Sequence, residues 1–338
     1  EVSQQAIKDI QKAIQRTRKM TERSLIIDGT NIFYRAYVVN PSLSNSGLPV
    51  GGLVGFLKSL QKLIREMKPT KVFVCWDGAG GSSRRRSVVS SYKEGRKAIR
   101  LNRSTGVSLS LEEENQSKIR QILRLFEYLD NLPLIQLIHD GVEADDMISI
   151  LCQELRGEQK IIVSSDKDFY QLLDDETIIY RPVQAVFKTK KDIVDEFQIH
   201  PNNFALARAV SGDKSDNLQG VKGAGLKTLA KRFPFLVEEK DYSLTDLVDA
   251  CEETENKLKI HEGILDNYDK ILKNYKIMQL YVPSVSFQVR DIVKNAKENY
   301  SRYYNKTEIV KMMFTDGFPQ ISWTDLFAHS NRIASIKN

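Results

Sequence analysis

The segment GVEADDMISIL, residues 141–151, places three carboxylates directly before a run of apolar residues. Glu143, Asp145 and Asp146 fall within four positions, whereas the residues that follow them favour burial. Helical spacing puts Glu143 and Asp146 on one face, next to the positive end of the helix dipole. One acidic side chain would be enough to cap this helix, so the additional negative charge indicates a functional site.

Short apolar runs surround this segment, and helical patterns separate them. The spacing of apolar residues predicts one amphipathic helix over 53–67 and another over 119–129. Short, nearly all-apolar strands that alternate with helices are typical of a parallel sheet covered by helices on both faces. The sequence therefore predicts an α/β fold. The predicted strands are SLIID (24–28), VFVCWD (72–77), PLIQLI (133–138) and IIVSS (161–165).

The pattern changes after Tyr180. TIIYRPVQAVFKTK, residues 177–190, predicts a small hairpin, and mainly helical spacing follows it. We therefore divide the chain into a basic N-terminal extension at 1–23, an α/β core at 24–190 and a smaller helical region at 191–338. The extension has an amphipathic pattern, which fits a packed terminal helix as well as a partner-binding element.

Composition excludes several classes of protein. The chain of 338 residues is 41% hydrophobic and 28% charged, which is enough apolar content for a full core. No uncharged apolar stretch reaches about 18 residues and no secretory signal pattern is present, so we expect a cytoplasmic protein without a membrane span. The three cysteines and four histidines lack the spacing of a disulfide framework or a zinc site.

The net charge of +6 is concentrated in one segment. Residues 84–103 hold eight basic residues and one acidic residue, so the rest of the chain is close to neutral. Clustered positive charge favours a polyanionic partner, although a solvated loop would carry the same charges. The polar run LNRSTGVSLS at 101–110 predicts that part of this region is flexible.

Acidic residues recur where the predicted strands end. Asp28 and Asp77 end the first two strands. Asp166 and Asp168 follow the fourth strand, and the GVEADD acids follow the third. Because the carboxyl ends of parallel strands meet at one edge of a sheet, we expect these seven side chains to converge in a crevice. Crowded carboxylates need a cation, and oxygen ligands favour Mg²⁺ or Mn²⁺; two such ions would suit in-line attack on a phosphodiester.

Six motifs follow one another along the chain: IIDGTN (26–31), WD (76–77), YKEGR (92–96), GVEADD (141–146), SSDKDFYQL (164–172) and GDKSDNLQGVKGAGLKT (212–228). Motifs of this kind occur in the same order in the 5′ nuclease superfamily. From about Ser24 to Phe233 the sequence resembles flap endonucleases and 5′ to 3′ exonucleases, and its length and tail look most like the bacteriophage ribonuclease H branch. The resemblance implies a PIN-like 5′ nuclease fold that uses Mg²⁺, with Mn²⁺ as a substitute.

The resemblance implies roles for individual side chains. Lys93 and Arg96 occupy the family's basic positions near the scissile phosphate, where they would share a helix face and stabilise charge in the transition state. The flexible segment at about 84–114 corresponds to the helical arch that admits a free 5′ end. The acidic metal cluster of the family corresponds to Asp28, Asp77, Glu143, Asp145, Asp146, Asp166, Asp168, Asp213 and Asp216.

The resemblance also implies a nucleic-acid interface. The segment at about 206–233 looks like a helix-hairpin-helix module, whose glycines let backbone N–H groups approach phosphates. In relatives such a hairpin can hold a monovalent cation such as K⁺, although Gln219, Lys222 and Leu229 depart from the usual pattern. Tyr92 could stack on a terminal base or be packed inside the protein. The implied nucleic-acid-binding residues are Arg84, Arg85, Arg86, Tyr92, Lys97, Lys214, Gly220, Lys222, Gly223, Gly225, Lys227 and Thr228.

The sequence therefore predicts a monomeric, structure-specific 5′ nuclease that removes primers or flaps during DNA replication. Its expected partners are DNA with a free 5′ end or 5′ flap, an RNA–DNA hybrid, and a single-strand-binding protein or sliding clamp, in the host cytoplasm if the chain is viral. The alternative is a catalytically silent DNA-junction binder. A haloacid dehalogenase-type phosphatase is excluded, because it needs an aspartate where Ile26 stands.

Overall fold

The computed structural model describes residues 22–96, 99–318 and 321–337. The predicted basic extension at 1–23 lies almost entirely outside the described residues, and Lys97 lies outside them as well. Within the described part of the chain, no helix has the length and apolar character needed to cross a lipid bilayer.

A six-stranded sheet forms the centre of the protein. In chain order its strands are β1 (Arg23–Asp28), β2 (Lys71–Cys75), β3 (Ile135–Leu137), β4 (Gln159–Val163), β5 (Thr177–Arg181) and β6 (Val186–Lys188). They lie side by side in the order β3-β2-β1-β4-β5-β6, and all neighbours are parallel except β5 and β6. The predicted hairpin at 177–190 is present, and its two strands extend the central sheet.

The register of the parallel strands brings their carboxyl ends to one edge. Asp28 at the end of β1 lies beside Cys75, and Cys75 lies beside Leu137 at the end of β3. On the other side of β1, Ile27 lies beside Val163 at the end of β4. The loops that follow these four strands therefore begin close together.

Helices cover both faces of the sheet. In chain order they are α1 (Gly29–Val39), α2 (Gly51–Met67), α3 (Ser83–Val88), α4 (Leu111–Asp130) and α5 (Ala144–Glu154). The two predicted amphipathic helices correspond to α2 and α4. Leu25 and Ile27 of β1 join the core cluster of α1, α2 and α4, whereas Ile26 joins the cluster of α5 on the opposite face. The predicted α/β fold is confirmed.

Mainly helical structure follows the sheet. It begins after Thr189, whose side chain caps the first of these helices. Two short antiparallel strands, β7 (Gly212–Asp213) and β8 (Leu218–Gln219), interrupt the helices. The helices are α6 (Lys190–Phe197), α7 (Pro201–Ser211), α8 (Leu226–Arg232), α9 (Leu244–Glu253), α10 (Lys259–Asp266), α11 (Tyr268–Met278), α12 (Phe287–Glu298), α13 (Lys306–Thr315) and α14 (Thr324–Ala334).

The last two helices return to the face of the sheet that α2 covers. Ile309 of α13 and Leu326 of α14 are buried in the same core cluster as Leu25. At the surface, Asp325 of α14 pairs with Arg65 of α2 at 2.8 Å. The predicted division at residue 190 therefore does not separate two hydrophobic cores, because the helical region contributes to the cores on both faces of the sheet.

The connection between α3 and α4 contains the predicted arch. Its described residues form turns and one short 3-10 turn at Arg103–Thr105. Lys93 has a φ of 57° and Gly95 a φ of 73°, which are left-handed values that end any helix. The prediction that Lys93 and Arg96 share a helix face is therefore wrong. At its far end, Ser110 forms a capping box that fixes the start of α4.

Candidate active site

The strand ends meet in one cleft at the carboxyl edge of the sheet. The cleft has a volume of about 560 Å³, and seven of the nine predicted metal ligands line it together with Lys93 and Arg96. Asp146 is buried beside α3, and Asp213 borders a neighbouring cleft formed by residues 211–225. The seven acids that line the cleft are Asp28, Asp77, Glu143, Asp145, Asp166, Asp168 and Asp216.

Asp28 sits at the centre of this edge and is almost fully buried. Its Oδ1 accepts the backbone N–H of Asn31 at 3.1 Å, and its Oδ2 accepts the hydroxyl of Ser164 at 2.8 Å. Burial raises the pKa of Asp28 to about 7, and the neighbouring carboxylates of Asp77 and Asp166 add to the rise. The side chain is thus held in place, but its negative charge is not compensated.

Asp77 and Asp166 are held in the same way, by neutral donors. Asp77 accepts the N–H of Ala144 at 2.7 Å, which ties the end of β2 to the first turn of α5. Asp166 accepts the N–H of Asp168 at 2.8 Å. Burial raises the pKa of Asp166, and nearby carboxylates reinforce the effect. In the described part of the chain no lysine or arginine pairs with Asp28, Asp77 or Asp166, and we call these three residues the unpaired acids.

Two arginines of α3 compensate the acids at the start of α5. Arg85 donates from both terminal nitrogens to Asp145, at 2.8 and 2.9 Å, and reaches Asp146 at 3.2 Å. It also forms an ion pair with Glu143. Arg84 donates to the second oxygen of Asp146 at 2.7 Å. These contacts point Arg85 into the protein, so the structure does not place it on a surface that DNA could reach, contrary to the sequence-based expectation.

The arginine contacts act differently on the two neighbouring aspartates. Burial alone would raise the pKa of Asp145, but the charge and hydrogen bonds of Arg85 outweigh it and hold the pKa below its ordinary value. Burial and the adjacent charge of Asp145 raise the pKa of Asp146 to about 6. Asp145 is therefore the member of this pair that carries the negative charge most readily.

A third arginine, which the sequence did not suggest, joins two other acids. Arg208 of α7 donates to Asp168 at 3.0 Å and forms an ion pair with Asp213. Burial raises the pKa of Asp168 to about 7, and the adjacent Asp166 adds to the rise. The hydrogen bonds from Ser215, together with Arg208, lower the pKa of Asp213 against the effect of burial. Sequence patterns provided no signal of this role, because Arg208 lies within an otherwise apolar helical pattern.

The YKEGR turn forms one wall of the cleft. Lys93 donates to Glu143, and the hydroxyl of Tyr92 donates to the other oxygen of the same carboxylate at 3.2 Å. Arg96 pairs with Asp216, and the backbone N–H of Lys93 donates to the carbonyl of Asp216 at 2.9 Å. Tyr92 is 2% exposed, so it is packed rather than available for base stacking. We call the compensated carboxylates the paired acids: Glu143, Asp145, Asp146, Asp168, Asp213 and Asp216.

The acids have the chemistry of a site for a hard divalent cation, but they are not arranged as a finished one. In the described part of the chain, no three acidic, histidine or cysteine side chains surround a common metal position. Glu143, Asp145 and Asp146 are instead engaged in ion pairs with the arginines of α3 and with Lys93. The all-oxygen donor set and the uncompensated charge of the unpaired acids nevertheless fit Mg²⁺ or Mn²⁺. Binding would require the side chains to turn towards a shared point.

The segment predicted to form the hairpin lies beside the cleft, between α7 and α8. Residues 211–225 line a second cleft of about 750 Å³, whose walls include Lys214, Gly220, Lys222, Gly223 and Gly225. A β-carbon on Gly220 would lie 2.2 Å from the carbonyl of Ser211, so only glycine allows this close return of the chain. Lys227 and Thr228 follow on α8. Lys214, Lys222 and Lys227 are exposed, as a phosphate-binding surface requires.

Arg35 is a second residue that sequence reasoning missed. It lies on α1 and lines the acidic cleft together with Asn31, Tyr34 and Val38. Its Nη1 is buried without a hydrogen-bond partner among the described residues. The spacing of 31, 34, 35 and 38 marks one helix face that begins three residues after Asp28. That periodicity was the signal from which these residues could have been assigned to the site.

The arch residues Arg84 and Arg86 differ in their surroundings. Arg84 is half-buried against Asp146, whereas Arg86 is exposed and donates to the carbonyl of Tyr92 at 3.3 Å. Of the three consecutive arginines, only Arg86 is therefore fully available at the surface.

The sequence matches one family of known proteins over half of its length. Residues 23–200 match the family described as "5′-3′ exonuclease, N-terminal resolvase-like domain". A 5′-3′ exonuclease of Aquifex aeolicus is 31% identical over 206 residues, which are 60% of this chain and 66% of that protein. DNA polymerase I of Thermus aquaticus is 34% identical over 212 residues, but these are only 23% of the polymerase. The match thus spans just under two thirds of the first relative and less than a quarter of the second.

A longer match and a solved structure extend the similarity towards the C-terminus. A 5′-3′ exonuclease of Buchnera aphidicola is 28% identical over 295 residues, which are 83% of this chain and 96% of that protein. The bacteriophage T5 flap endonuclease, solved as a pseudo-enzyme-product complex with DNA and metal ions, superposes with a TM-score of 0.65 at 18% identity. That superposition covers 86% of this chain and 99% of the other. It establishes a shared fold that includes helices beyond the sequence motifs.

Proposed function

The chain belongs to the 5′-3′ exonuclease family, and from that premise we propose that it is a structure-specific 5′ nuclease. It would hydrolyse a phosphodiester near the free 5′ end of a duplex, a 5′ flap or an RNA–DNA hybrid and leave a 5′-phosphate and a 3′-hydroxyl. The observation that carries the proposal is the convergence of seven carboxylates in one cleft, beside Lys93 and Arg96.

The acids of the cleft would bind two or more Mg²⁺ ions, for which Mn²⁺ would substitute. Bound divalent ions lower the pKa of water and stabilise negative charge on a phosphodiester. The unpaired acids Asp28, Asp77 and Asp166 supply the charge that the protein itself does not compensate. The paired acids would complete the set directly or through water. Their arginine and lysine partners limit the total negative charge that an approaching phosphate meets.

Lys93 and Arg96 would act on the scissile phosphate. Both side chains line the cleft, although they come from a turn and not from one helix face. Each is tied to a carboxylate of the cleft, Lys93 to Glu143 and Arg96 to Asp216. A phosphate that entered the cleft would meet two positioned cations, which is the arrangement that stabilises charge developing in a transition state.

The surface around the cleft would grip the nucleic acid without reading its sequence. Arg84, Arg86 and Lys97 belong to the segment at 84–114, which would act as a flexible arch around the single-stranded 5′ end. The hairpin would hold the duplex through backbone N–H groups and lysines, and K⁺ could assist it. Its contributing residues would be Lys214, Gly220, Lys222, Gly223, Gly225, Lys227 and Thr228.

The biological role that fits this chemistry is the removal of RNA primers or 5′ flaps during DNA replication. The enzyme would act as a monomer in the cytoplasm, and a single-strand-binding protein or sliding clamp would be its protein partner. The relation to polymerase I proteins supports a role in replication. A place in the bacteriophage ribonuclease H branch would agree with the fold shared with the T5 enzyme.

A second candidate is a DNA-junction binder without catalytic activity. One observation favours it: no three side chains of the described residues already surround a metal position. Such a protein would keep the basic surface of the arch and hairpin and would use the ion pairs of the cleft only for stability.

One assay separates the two candidates. A 5′-flap duplex labelled at the 3′ end of the flap strand is incubated with the protein in EDTA, in Mg²⁺ and in Mn²⁺, and the products are resolved by length. The nuclease predicts metal-dependent cuts at the junction or progressing inward from the 5′ end. An intact strand whose mobility the protein still shifts would instead establish the binding protein.

A further inference from the structure

Arg85 is the innermost of three consecutive arginines in the short helix α3. Its side chain is 5% exposed, whereas that of its neighbour Arg84 is 33% exposed and Arg86 is at the surface. Lysine and arginine are almost never fully buried unless they are paired, so the contacts of Arg85 should explain its position. Its ion pairs all face the first turn of α5, and the hydroxyl of Tyr92 provides a further contact.

The guanidinium of Arg85 joins three carboxylates and a tyrosine. It holds both oxygens of Asp145, at 2.8 and 2.9 Å, and one oxygen of Asp146, at 3.2 Å. It also pairs with Glu143 and lies 3.4 Å from the hydroxyl of Tyr92, which itself donates to Glu143. The forked geometry of arginine allows one side chain to make all of these contacts, whereas lysine has a single nitrogen.

The three carboxylates could not keep this arrangement without a cation between them. Glu143, Asp145 and Asp146 fall within four residues, and all three are turned towards the same guanidinium. Removal of Arg85 would leave the partly buried Asp145 with no other ion pair among the described residues, beside the buried carboxylates of Glu143 and Asp146. The carboxylates would then separate or take up protons.

We propose that Arg85 is a positioning residue that holds Glu143, Asp145 and Asp146 together at the edge of the cleft, from where they can turn to a metal ion, and that it makes no contact with DNA. The inference rests on the proposed function, since it assumes that these acids belong to a metal site. Outer residues that orient metal ligands typically change metal affinity by about 10–100-fold when they are substituted. Because Arg85 also lies at the start of the segment 84–114, the same contacts anchor one end of the predicted arch to the cleft.

Two arginines of the same helix provide a matched comparison. Arg85→Gln removes the buried guanidinium, and Arg86→Gln removes an exposed one that is only one residue away. Mn²⁺ binding is measured by calorimetry without DNA, and binding of a 5′-flap duplex is measured in EDTA by fluorescence anisotropy over a range of salt concentrations. Neither readout depends on cleavage.

The proposal predicts opposite results for the two variants. Arg85→Gln should weaken Mn²⁺ binding by about 10-fold or more and leave the salt dependence of DNA binding unchanged. Arg86→Gln should leave Mn²⁺ binding unchanged and reduce the slope of log affinity against log salt by about one, as expected for one lost phosphate contact. If Arg85→Gln lowers the DNA slope and spares Mn²⁺ binding, Arg85 is a DNA contact and the proposal is wrong.

Arg85→Lys keeps the test decisive if the glutamine variant does not fold. It retains the charge but not the fork, so Mn²⁺ binding should fall between that of the wild type and that of Arg85→Gln or, without the latter, clearly below the wild type. Wild-type affinity in Arg85→Lys would contradict the positioning role. The wild-type protein tests the proposed function separately: Mn²⁺ binding that depends on Arg85, without any cleavage, would uphold this inference and reject the nuclease.

Discussion

The unpaired and the paired acids lie in one cleft, yet the protein stabilises them by different means. The paired acids contact lysine or arginine, most of which come from α3, α7 and the YKEGR turn. Among the described residues, the unpaired acids Asp28, Asp77 and Asp166 receive only backbone N–H groups and one hydroxyl. Hydrogen bonds of this kind orient a carboxylate but do not remove its charge.

This difference indicates at which acids an external cation would gain the most binding free energy. At the paired acids an arginine or lysine already compensates much of the negative charge. At Asp28 a metal ion would replace only a proton, since burial raises the pKa of Asp28 to about 7. The charge that no lysine or arginine of the described residues compensates therefore lies at the ends of the central strands, and we expect metal binding to begin there.

The largest predicted difference in cleavage rate is between two variants, each of which replaces one acid from one of the two groups. Asp166→Asn should lower metal-dependent cleavage by about 10³-fold or more, because it removes one of three uncompensated charges where a divalent ion would act. Asp213→Asn should lower it by about 10-fold, since Arg208 keeps its contact with Asp168. Single-turnover rates at saturating Mg²⁺ measure both effects.

Flap-DNA affinity in EDTA provides the control for this pair. Each substitution removes a negative charge and leaves the lysines and arginines of the predicted hairpin and arch in place, so both variants should bind the substrate at least as tightly as the wild type. Equal losses of rate in Asp166→Asn and Asp213→Asn would remove the distinction between the two groups.

Substitution of Lys93 should have a smaller effect on the cleavage rate, and this residue is related to both groups of acids. It is a partner of a paired acid, Glu143, and it also lines the cleft that the unpaired acids face. Lys93→Met should reduce the cleavage rate at saturating substrate by about 10²-fold, the typical loss when a positioned donor to a transition-state charge is removed. Glu94→Gln, an exposed neighbour, should leave the rate within about twofold. An unchanged rate in Lys93→Met would limit Lys93 to an ion pair.

The unpaired acids could be predicted from the sequence, but most of the pairing could not. Asp28, Asp77 and Asp166 lie at strand ends, and the parallel-sheet rule places such residues together without knowledge of any side-chain contact. The direction in which the Arg85 side chain points depends on the path of the loop that connects β2 to α3. A β-carbon on Gly78 would lie 1.8 Å from the carbonyl of His139, so the loops after β2 and β3 are in direct contact, and local sequence patterns do not predict such a long-range approach.

Long-range packing set the other limits of sequence reasoning. Apolar periodicity predicted helices after residue 190, but it carries no information about the surface on which each helix packs. Ile309 and Leu326 could therefore not be assigned to the core of the sheet. At residues 92–96 the spacing suggested a helix face, whereas the positive φ angles of Lys93 and Gly95 form a turn. Gly95 was the local signal for that turn.

One unpaired acid, Asp28, and one paired acid, Asp168, should also make the metal-free protein sensitive to pH. The pKa of Asp28 and that of Asp168 are raised to about 7, so loss of their protons disfavours the folded state more than the unfolded state. Stability in EDTA should therefore be higher at pH 5.5 than at pH 8. At about 1.4 kcal/mol for each pKa unit, the melting temperature should change by several degrees.

Mg²⁺ tests the cause of this pH effect. At pH 8 it should raise the melting temperature by replacing the lost protons, and at pH 5.5 it should have little effect because protons occupy the same oxygens. Asp28→Asn should reduce the difference between the two pH values in EDTA. If the melting temperature in EDTA is the same at both pH values for the wild type, the charges of Asp28 and Asp168 are compensated in solution.

The exposed lysines of the hairpin extend the comparison to basic residues and carry the smallest predicted effect. Lys93 and Arg96 have carboxylate partners, whereas Lys222 has none among the described residues and is exposed in the second cleft. Lys222→Ala should weaken duplex binding a few-fold at moderate salt and lower the salt slope by about one, because it removes one phosphate contact. Lys311→Ala, on α13 with a side chain that is 69% exposed, is the matched control and should change neither quantity. Mn²⁺ affinity should stay at its wild-type value in both variants, since neither lysine contacts an acid of the cleft. A loss of Mn²⁺ binding in Lys222→Ala would mean that the hairpin and the acidic cleft are coupled. DNA binding and metal-dependent cleavage could then no longer be assigned to separate charged groups.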